Sequence, residues 1–203
     1  MRHIIQHNGY VTADIPFAQA EDIIAQKLSQ AEPVTQPYIL HMLGVPGAGK
    51  STFVRGLPAS NAVVISFDDI MEKLPQYANS LRTDGPEKSF TTWEKCAREI
   101  GYELLFRAVE LGLNIIFDHG GARADHVDFL AHIKHYNSYT IRIMAILADT
   151  QTASARIAQR ERHVPVQYVS ERMVTLKTLL PRYRSIADQY EEYGATPQVS
   201  LLA

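Results

Sequence analysis

The run Gly44-Val45-Pro46-Gly47-Ala48-Gly49-Lys50-Ser51-Thr52 fills every position of the pattern G-x-x-x-x-G-K-[ST]. It constrains the chain more than any other stretch, because each fixed residue answers a physical need of a bound triphosphate. Glycines let backbone N–H groups close around phosphate oxygens, the lysine reaches the β- and γ-phosphates, and the hydroxyl after it can ligand Mg²⁺. A helix starting here adds the positive end of its dipole. The expected nucleotide-binding residues are therefore Gly44, Gly47, Ala48, Gly49, Lys50, Ser51 and Thr52. The expected ligand is ATP or GTP, with Mg²⁺ on Ser51 and with Lys50 also serving catalysis.

The flanks agree with the motif. Tyr38 to Leu43 is a short, mostly apolar run, as a buried strand requires, and Ser51 to Leu57 supplies helical turns that stop before Pro58. A second apolar run, Asn61 to Phe67, ends in Asp68-Asp69, and a third, Gly112 to Phe117, ends in Asp118. In open α/β sheets the carboxyl ends of strands are where ligands sit. Phosphoryl transfer needs a carboxylate there to orient the attacking hydroxyl and accept its proton. Asp68 is the expected base, and Asp69 the expected N-cap of a helix over Ile70 to Leu74. Asp118 and His119 are expected to contact substrate, Asp118 also resembling the acid that assists Mg²⁺ in loop-type NTPases. His119 and Gly120 stand where a motor would carry a water-activating glutamate, which argues against an ATPase.

The remaining pattern alternates helix and strand. Phe17, Ile23, Ile24 and Leu28 form an apolar stripe between Pro16 and Pro33, a helical extension over residues 1–37 ahead of a domain spanning 38–203. Pro75 to Pro86 reads as a polar surface loop at the substrate mouth. Phe90 to Leu111 is a long amphipathic helix, with Trp93 and Cys96 expected in its packed face. Ala124 to Tyr136 is a helix and Tyr139 to Leu147 a strand. His132 and His135 share one helix face with no carboxylate or thiol nearby, so no metal site is expected of them. From Asp149 a helix carries Arg156 and Arg160 four residues apart, with Arg162 beyond. This is a lid near 150–165 whose guanidinium groups suit the charge on a transferring phosphoryl group. A helix follows from Val166 to Leu180, its pattern continuing from Arg182 to Tyr193, and Gln198 to Leu202 reads as a last edge strand.

The chain has 203 residues, one cysteine and a formal net charge of −2. A single thiol allows no internal disulfide and suits the cytoplasm. The absence of a basic stretch disfavours a duplex nucleic-acid footprint. No run is long and apolar enough for a membrane span, and the first residues lack a signal-peptide pattern.

Together, Gly44 to Thr52, Val64-Ile65-Ser66-Phe67-Asp68-Asp69 leading to Leu74-Pro75-Gln76-Tyr77, and Arg160-Glu161-Arg162-His163-Val164-Pro165 resemble the zeta-toxin family of P-loop kinases. More broadly they resemble the polynucleotide-kinase-like P-loop kinases. The resemblance implies an α/β, three-layer P-loop NTPase/kinase fold with a mainly parallel sheet and helices on both faces. It implies that Asp68 is the general base and Lys50 holds phosphates. It also implies that two lid arginines bind the triphosphate, Arg162 being one and Arg156 or Arg160 the other. The family commonly phosphorylates a hydroxyl of UDP-N-acetylglucosamine. Here Met71 stands where a basic residue is usual, and Asp118-His119-Gly120 replaces the usual Glu-Gly-Thr. The first expectation is thus an ATP-dependent phosphotransferase acting on a small-molecule hydroxyl, such as that of a nucleotide sugar, with an antitoxin-like protein as the candidate partner. Two others are a polynucleotide 5′-hydroxyl kinase and a non-catalytic ATP-binding interaction module.

Overall fold

Alternation of side chains along the first strand divides the molecule into two cores. In the computed structural model, which describes residues 1, 3–5, 15–57, 61–158 and 166–194, β1 is Tyr38–Leu43. Ile39 and Leu43 join a large core on one face, while Met42 and the half-buried Leu40 join a smaller one on the other. The large core is closed by α1 (Phe17–Leu28), α5 (Pro86–Glu110), α6 (Ala124–Tyr136) and the second half of α8 (Val166–Ile186). The smaller is closed by α2 (Lys50–Gly56), α7 (Thr150–Ala158) and the first half of α8. Helices on both faces of one sheet make the three-layer α/β architecture.

The other strands are β2 (Val63–Ser66), β3 (Ile115–Asp118), β4 (Thr140–Ile146) and β5 (Gln189–Tyr193), in the order β2-β3-β1-β4-β5, all parallel. The chain leaves β1 toward the β2 edge and leaves β3 toward the β4 edge. The crevice between β1 and β3 is therefore a topological switch point, where ligands bind in such sheets. The register places Ser66 beside Asp118 and Asp118 beside Met42, so the three strand ends finish in one row.

Several local expectations are corrected. Pro75 to Pro86 is not a loop: α4 spans Pro75–Thr83, with Pro75 in the first turn, where its missing N–H costs nothing. The preceding Leu74 is extended, as a residue before proline must be, which separates α4 from α3 (Phe67–Glu72). Ser80 binds α4 to the next helix by donating to Ser89 Oγ at 2.9 Å. Pro181 does not stop α8, which continues to Ile186. Burial of Leu179, Leu180 and Tyr183, each contributing about 1.5–3 kcal/mol, offsets the ~3 kcal/mol cost of an internal proline. The helical pattern expected up to Tyr193 ends there too, because Gln189–Tyr193 pairs with β4 as an edge strand. Asp188 fixes that turn by accepting from the Ile141 N–H at 2.8 Å and from Lys134 Nζ at 2.7 Å. The strand expected over Gln198 to Leu202 lies outside the described residues.

The N-terminal helix shares the large core through Ala20, Ile23 and Ile24 and is pinned by one arginine. Arg107 gives a fork of two 2.8 Å bonds to Glu21 and one of 2.9 Å to the buried Glu103. Hydrogen bonds to these carboxylates raise the Arg107 pKa above its usual value. Glu21 is half-buried, but Glu103 is buried, and removing the cation leaves its charge uncompensated, which costs several kcal/mol. Arg107→Ala is expected to lower stability by about 3 kcal/mol, read as a lower midpoint in urea unfolding with an unchanged slope.

Candidate active site

The phosphate-loop glycines are held in backbone shapes that other residues resist. Gly47 has φ 80°, Gly49 caps α2 at φ 111°, and Gly44 has φ 149°. Space is equally restrictive: a Cβ on Gly44 would sit 2.6 Å from the Ile146 carbonyl oxygen, and one on Gly47 2.3 Å from that of Ala153. The loop is wedged between the end of β4 and α7. Within it, Lys50 Nζ curls back to 3.4 Å from the Val45 carbonyl oxygen, and Ser51 Oγ donates to Asp118 Oδ2 at 2.7 Å. Asp118, closing β3, is thus placed beside the first hydroxyl of α2. A hydroxyl and a carboxylate side by side at the loop are hard oxygen ligands of the kind Mg²⁺ takes, so the donor set fits that ion.

Asp68 does not end a strand but lies in the first turn of α3. Ser66 is the N-cap, accepting from the Asp69 N–H at 3.3 Å, and this corrects the expectation that Asp69 caps the helix. Asp69 turns instead toward the buried Lys27, 3.9 Å from its Nζ. The position of α3 depends on Gly101 of α5. A Cβ there would fall 2.4 Å from the Phe67 ring, which lies edge-on to Tyr102 with centroids 5.1 Å apart. Gly101→Ala is expected to push Phe67, and with it Asp68, away from α5. Overpacking of this kind costs about 1–3 kcal/mol. That loss is expected as a lower midpoint in urea unfolding.

Gly44, Gly47, Gly49, Lys50, Ser51, Asp68, Asp118 and His119 all line one cavity of about 170 Å³. Ala48 and Thr52 do not line it, although Ala48 is engaged from outside, where Arg156 Nη1 donates to its carbonyl oxygen at 3.1 Å. Arg160 and Arg162 lie outside the described residues. Trp93 packs half-buried against the large core, and Cys96 is a buried thiol.

The opposite wall was missed by reading the sequence. It is built by Glu94, Arg98 and Tyr102 of α5, Arg123 before α6, and Tyr168 and Arg172 of α8. Arg98 pairs with Glu94, and Arg123 pairs with Asp125. Arg172 stands over the Tyr168 ring at 4.7 Å and reaches the Ala122 carbonyl oxygen at 3.4 Å. The available signal was helical spacing: Glu94, Arg98 and Tyr102 recur every four residues, as do Tyr168 and Arg172.

His119 is half-buried at the cavity edge, stacked on Phe117 at 5.4 Å. Burial, reinforced by His126, His41, Lys50 and Arg123, holds its pKa well below the usual histidine value. It meets the cavity as a neutral imidazole at neutral pH, not as a cationic phosphate clamp.

The profile of the Zeta toxin family matches residues 21–199. No curated protein matches the sequence. Among solved structures, one from the PezAT toxin-antitoxin system of Streptococcus pneumoniae is similar at TM-score 0.66 and 17% identity, covering 90% of this chain and 80% of that one. A structure of AvrRxo1-ORF1:-ORF2 with ATP is similar at TM-score 0.66 and 14% identity, over 87% of this chain but 62% of that one. A putative kinase from Chloroflexus aurantiacus is similar at TM-score 0.50 and 18% identity, over 80% and 90% of the two chains. These likenesses fix the fold, and the match over most of the length fixes the kinship: the chain belongs to the Zeta toxin family, built on a P-loop kinase fold.

Proposed function

We propose that this kinase-like protein moves the γ-phosphate of ATP to a hydroxyl of a small molecule, with Asp68 as the general base. The observation that carries this is the sharing of one cavity by the phosphate loop, the Ser51–Asp118 pair and Asp68. In this reading Mg²⁺–ATP supplies the transferable group and neutralises charge on it. The chain's part is to hold and orient. Loop amides and Lys50 grip phosphate oxygens, Ser51 and Asp118 hold the divalent ion, and Asp68 turns the acceptor hydroxyl toward the phosphorus and takes its proton. Two lid arginines, Arg162 with Arg156 or Arg160, counter the charge on the moving group. Asp118 then serves the metal side, leaving His119 and the opposite wall for the acceptor.

Arg98, Arg123 and Arg172 on that wall, with Tyr102 and Tyr168 between them, favour an acceptor that carries its own negative charge beside a ring. A nucleotide sugar has those properties, which agrees with the family's usual substrate. The cavity is small, about 170 Å³, which favours a small molecule over a nucleic-acid end. The neighbour from a toxin-antitoxin system favours a protein partner that restrains the site. No described helix is long and apolar enough to cross a membrane.

Labelled ATP offered in parallel to a metabolite extract and to a 5′-hydroxyl oligonucleotide tests the acceptor class. Label is expected in the small-molecule fraction. Label on the oligonucleotide alone would overturn the reading.

A further inference from the structure

Three imidazoles from separate elements meet on the large-core side of the sheet, behind the phosphate cavity. His41 comes from the middle of β1, His119 from the residue after β3, and His126 from the first turn of α6. Their ring centroids lie 4.2 Å apart for His119 and His126, 5.8 Å for His41 and His126, and 6.3 Å for His41 and His119. One ring nitrogen of each lies within 4.8 Å of the others.

His41 and His126 are each only 1% exposed. Even so, both ring nitrogens of His41 and Nδ1 of His126 have no hydrogen-bond partner. A buried polar atom left without one costs about 1–3 kcal/mol, and buried polar side chains nearly always find partners. An isoleucine or leucine at position 41 would pack there without that cost. Convergence of unpartnered nitrogens on one point is the arrangement expected of ligands.

We propose that His41, His119 and His126 form a site for a single transition-metal dication of the zinc class, separate from the Ser51–Asp118 pair. Three imidazoles suit zinc, cobalt, nickel or copper and not magnesium or calcium, which take oxygen. Zinc–nitrogen bonds of about 2.0–2.1 Å in a tetrahedral site place the ligand nitrogens within the 4.8 Å span of the three rings, so binding turns the rings toward one another. Burial holds His41 well below the usual histidine range and His126 at about 3. Both therefore keep lone pairs at neutral pH, and binding need not displace protons.

The surroundings supply the usual supports and one opposing force. Tyr102 Oη lies 2.9 Å from His126 Nε2. With the proton on Nε2, this bond orients the ring and leaves Nδ1 for the metal, the second partner that metal-binding histidines commonly have. His119 borders the cavity, giving an entry path and an open fourth position. Its Nδ1 now accepts from the Gly121 N–H at 3.2 Å. Ligation through either nitrogen opens that bond, since a metal on Nδ1 displaces it and a metal on Nε2 drives the ring proton to Nδ1. Lys50, Arg98, Arg123 and Arg172 nearby oppose a second positive charge and moderate the affinity. The inference does not rest on the kinase reading.

The test is titration of the chelator-stripped full chain with Zn²⁺ alone, without nucleotide, alongside absorption spectra of the Co²⁺ form. One equivalent should bind, the cobalt form should show the intense visible bands of a low-coordinate site, and the Gly121 amide resonance should shift. Since losing even an outer partner of a ligand weakens metal binding about 10–100-fold, His41→Gln or His126→Gln should weaken it at least about 100-fold, and Tyr102→Phe about tenfold. His132 and His135 on the outer face of α6, with His3 near His132, are the competing imidazoles among the described residues. A His132→Ala, His135→Ala double variant should bind as before. Absence of binding, six-coordinate cobalt spectra, or loss of binding in that double variant would each overturn the proposal. The cobalt spectrum and the double variant decide it even if the core variants fail to fold.

Discussion

Asp68→Asn will lower phosphoryl transfer about a thousandfold, within the range of 10²–10⁴ that a positioned base contributes, while leaving ATP affinity within about twofold. The amide keeps the shape of the carboxylate and its place in the first turn of α3, but it cannot accept the acceptor's proton. Affinity for ATP is spared because the loop from Gly44 to Thr52 is built against β4 and α7, not against α3. Isothermal titration with a non-hydrolysable ATP analogue and single-turnover transfer with labelled ATP separate the two effects. Equal loss of binding and transfer would mean that Asp68 holds nucleotide. Transfer at the wild-type rate would remove it from the chemistry.

Lys50→Met is expected to act on both steps. The ammonium sits at the start of α2 with its Nζ over the loop, where it adds charge to the dipole end of the helix. Losing one preorganised donor to developing charge costs about 10²–10³ in rate, or ~2.7–4 kcal/mol. Removing a full charge places kcat/KM at the lower end of what remains, about 10³ below wild type. Lys50→Arg should not restore it, because a planar guanidinium cannot occupy the narrow space of a point charge within the loop. Steady-state assays over a range of ATP concentrations check both variants, and recovery with arginine would contradict the tight fit of the loop.

Much of this was legible in the chain, for physical reasons that differ between residues. The phosphate loop was readable because its conformation admits few residues: Gly47 and Gly49 need positive φ, and Gly44 and Gly47 leave no room for a Cβ. The first four strands were readable from apolar runs, since both faces of a parallel sheet are covered. β5 was not: Gln189-Tyr190-Glu191-Glu192-Tyr193 has no buried position, and it is held by pairing with β4 and by the contact of Tyr193 with Phe53. Polar residues hid α4, whose buried face is only Tyr77 and Ser80. Ser66 is both the last residue of β2, as its apolar run predicts, and the cap of α3, whereas the usual preference for aspartate at a cap points to Asp69. The opposite wall of the cavity and the three inward histidines were hidden for a common reason. Each is assembled from elements distant in the chain, and only the sheet order brings β1, the end of β3 and α6 together.

The most direct test of the account is mass spectrometry of a metabolite extract incubated with the protein, Mg²⁺ and ATP carrying ¹⁸O in its γ-phosphoryl group. The account predicts a small molecule made heavier by one phosphate that carries the label, formed by the wild type and absent with Asp68→Asn. Labelled inorganic phosphate alone, or bound ATP with no labelled product from any extract, would contradict it.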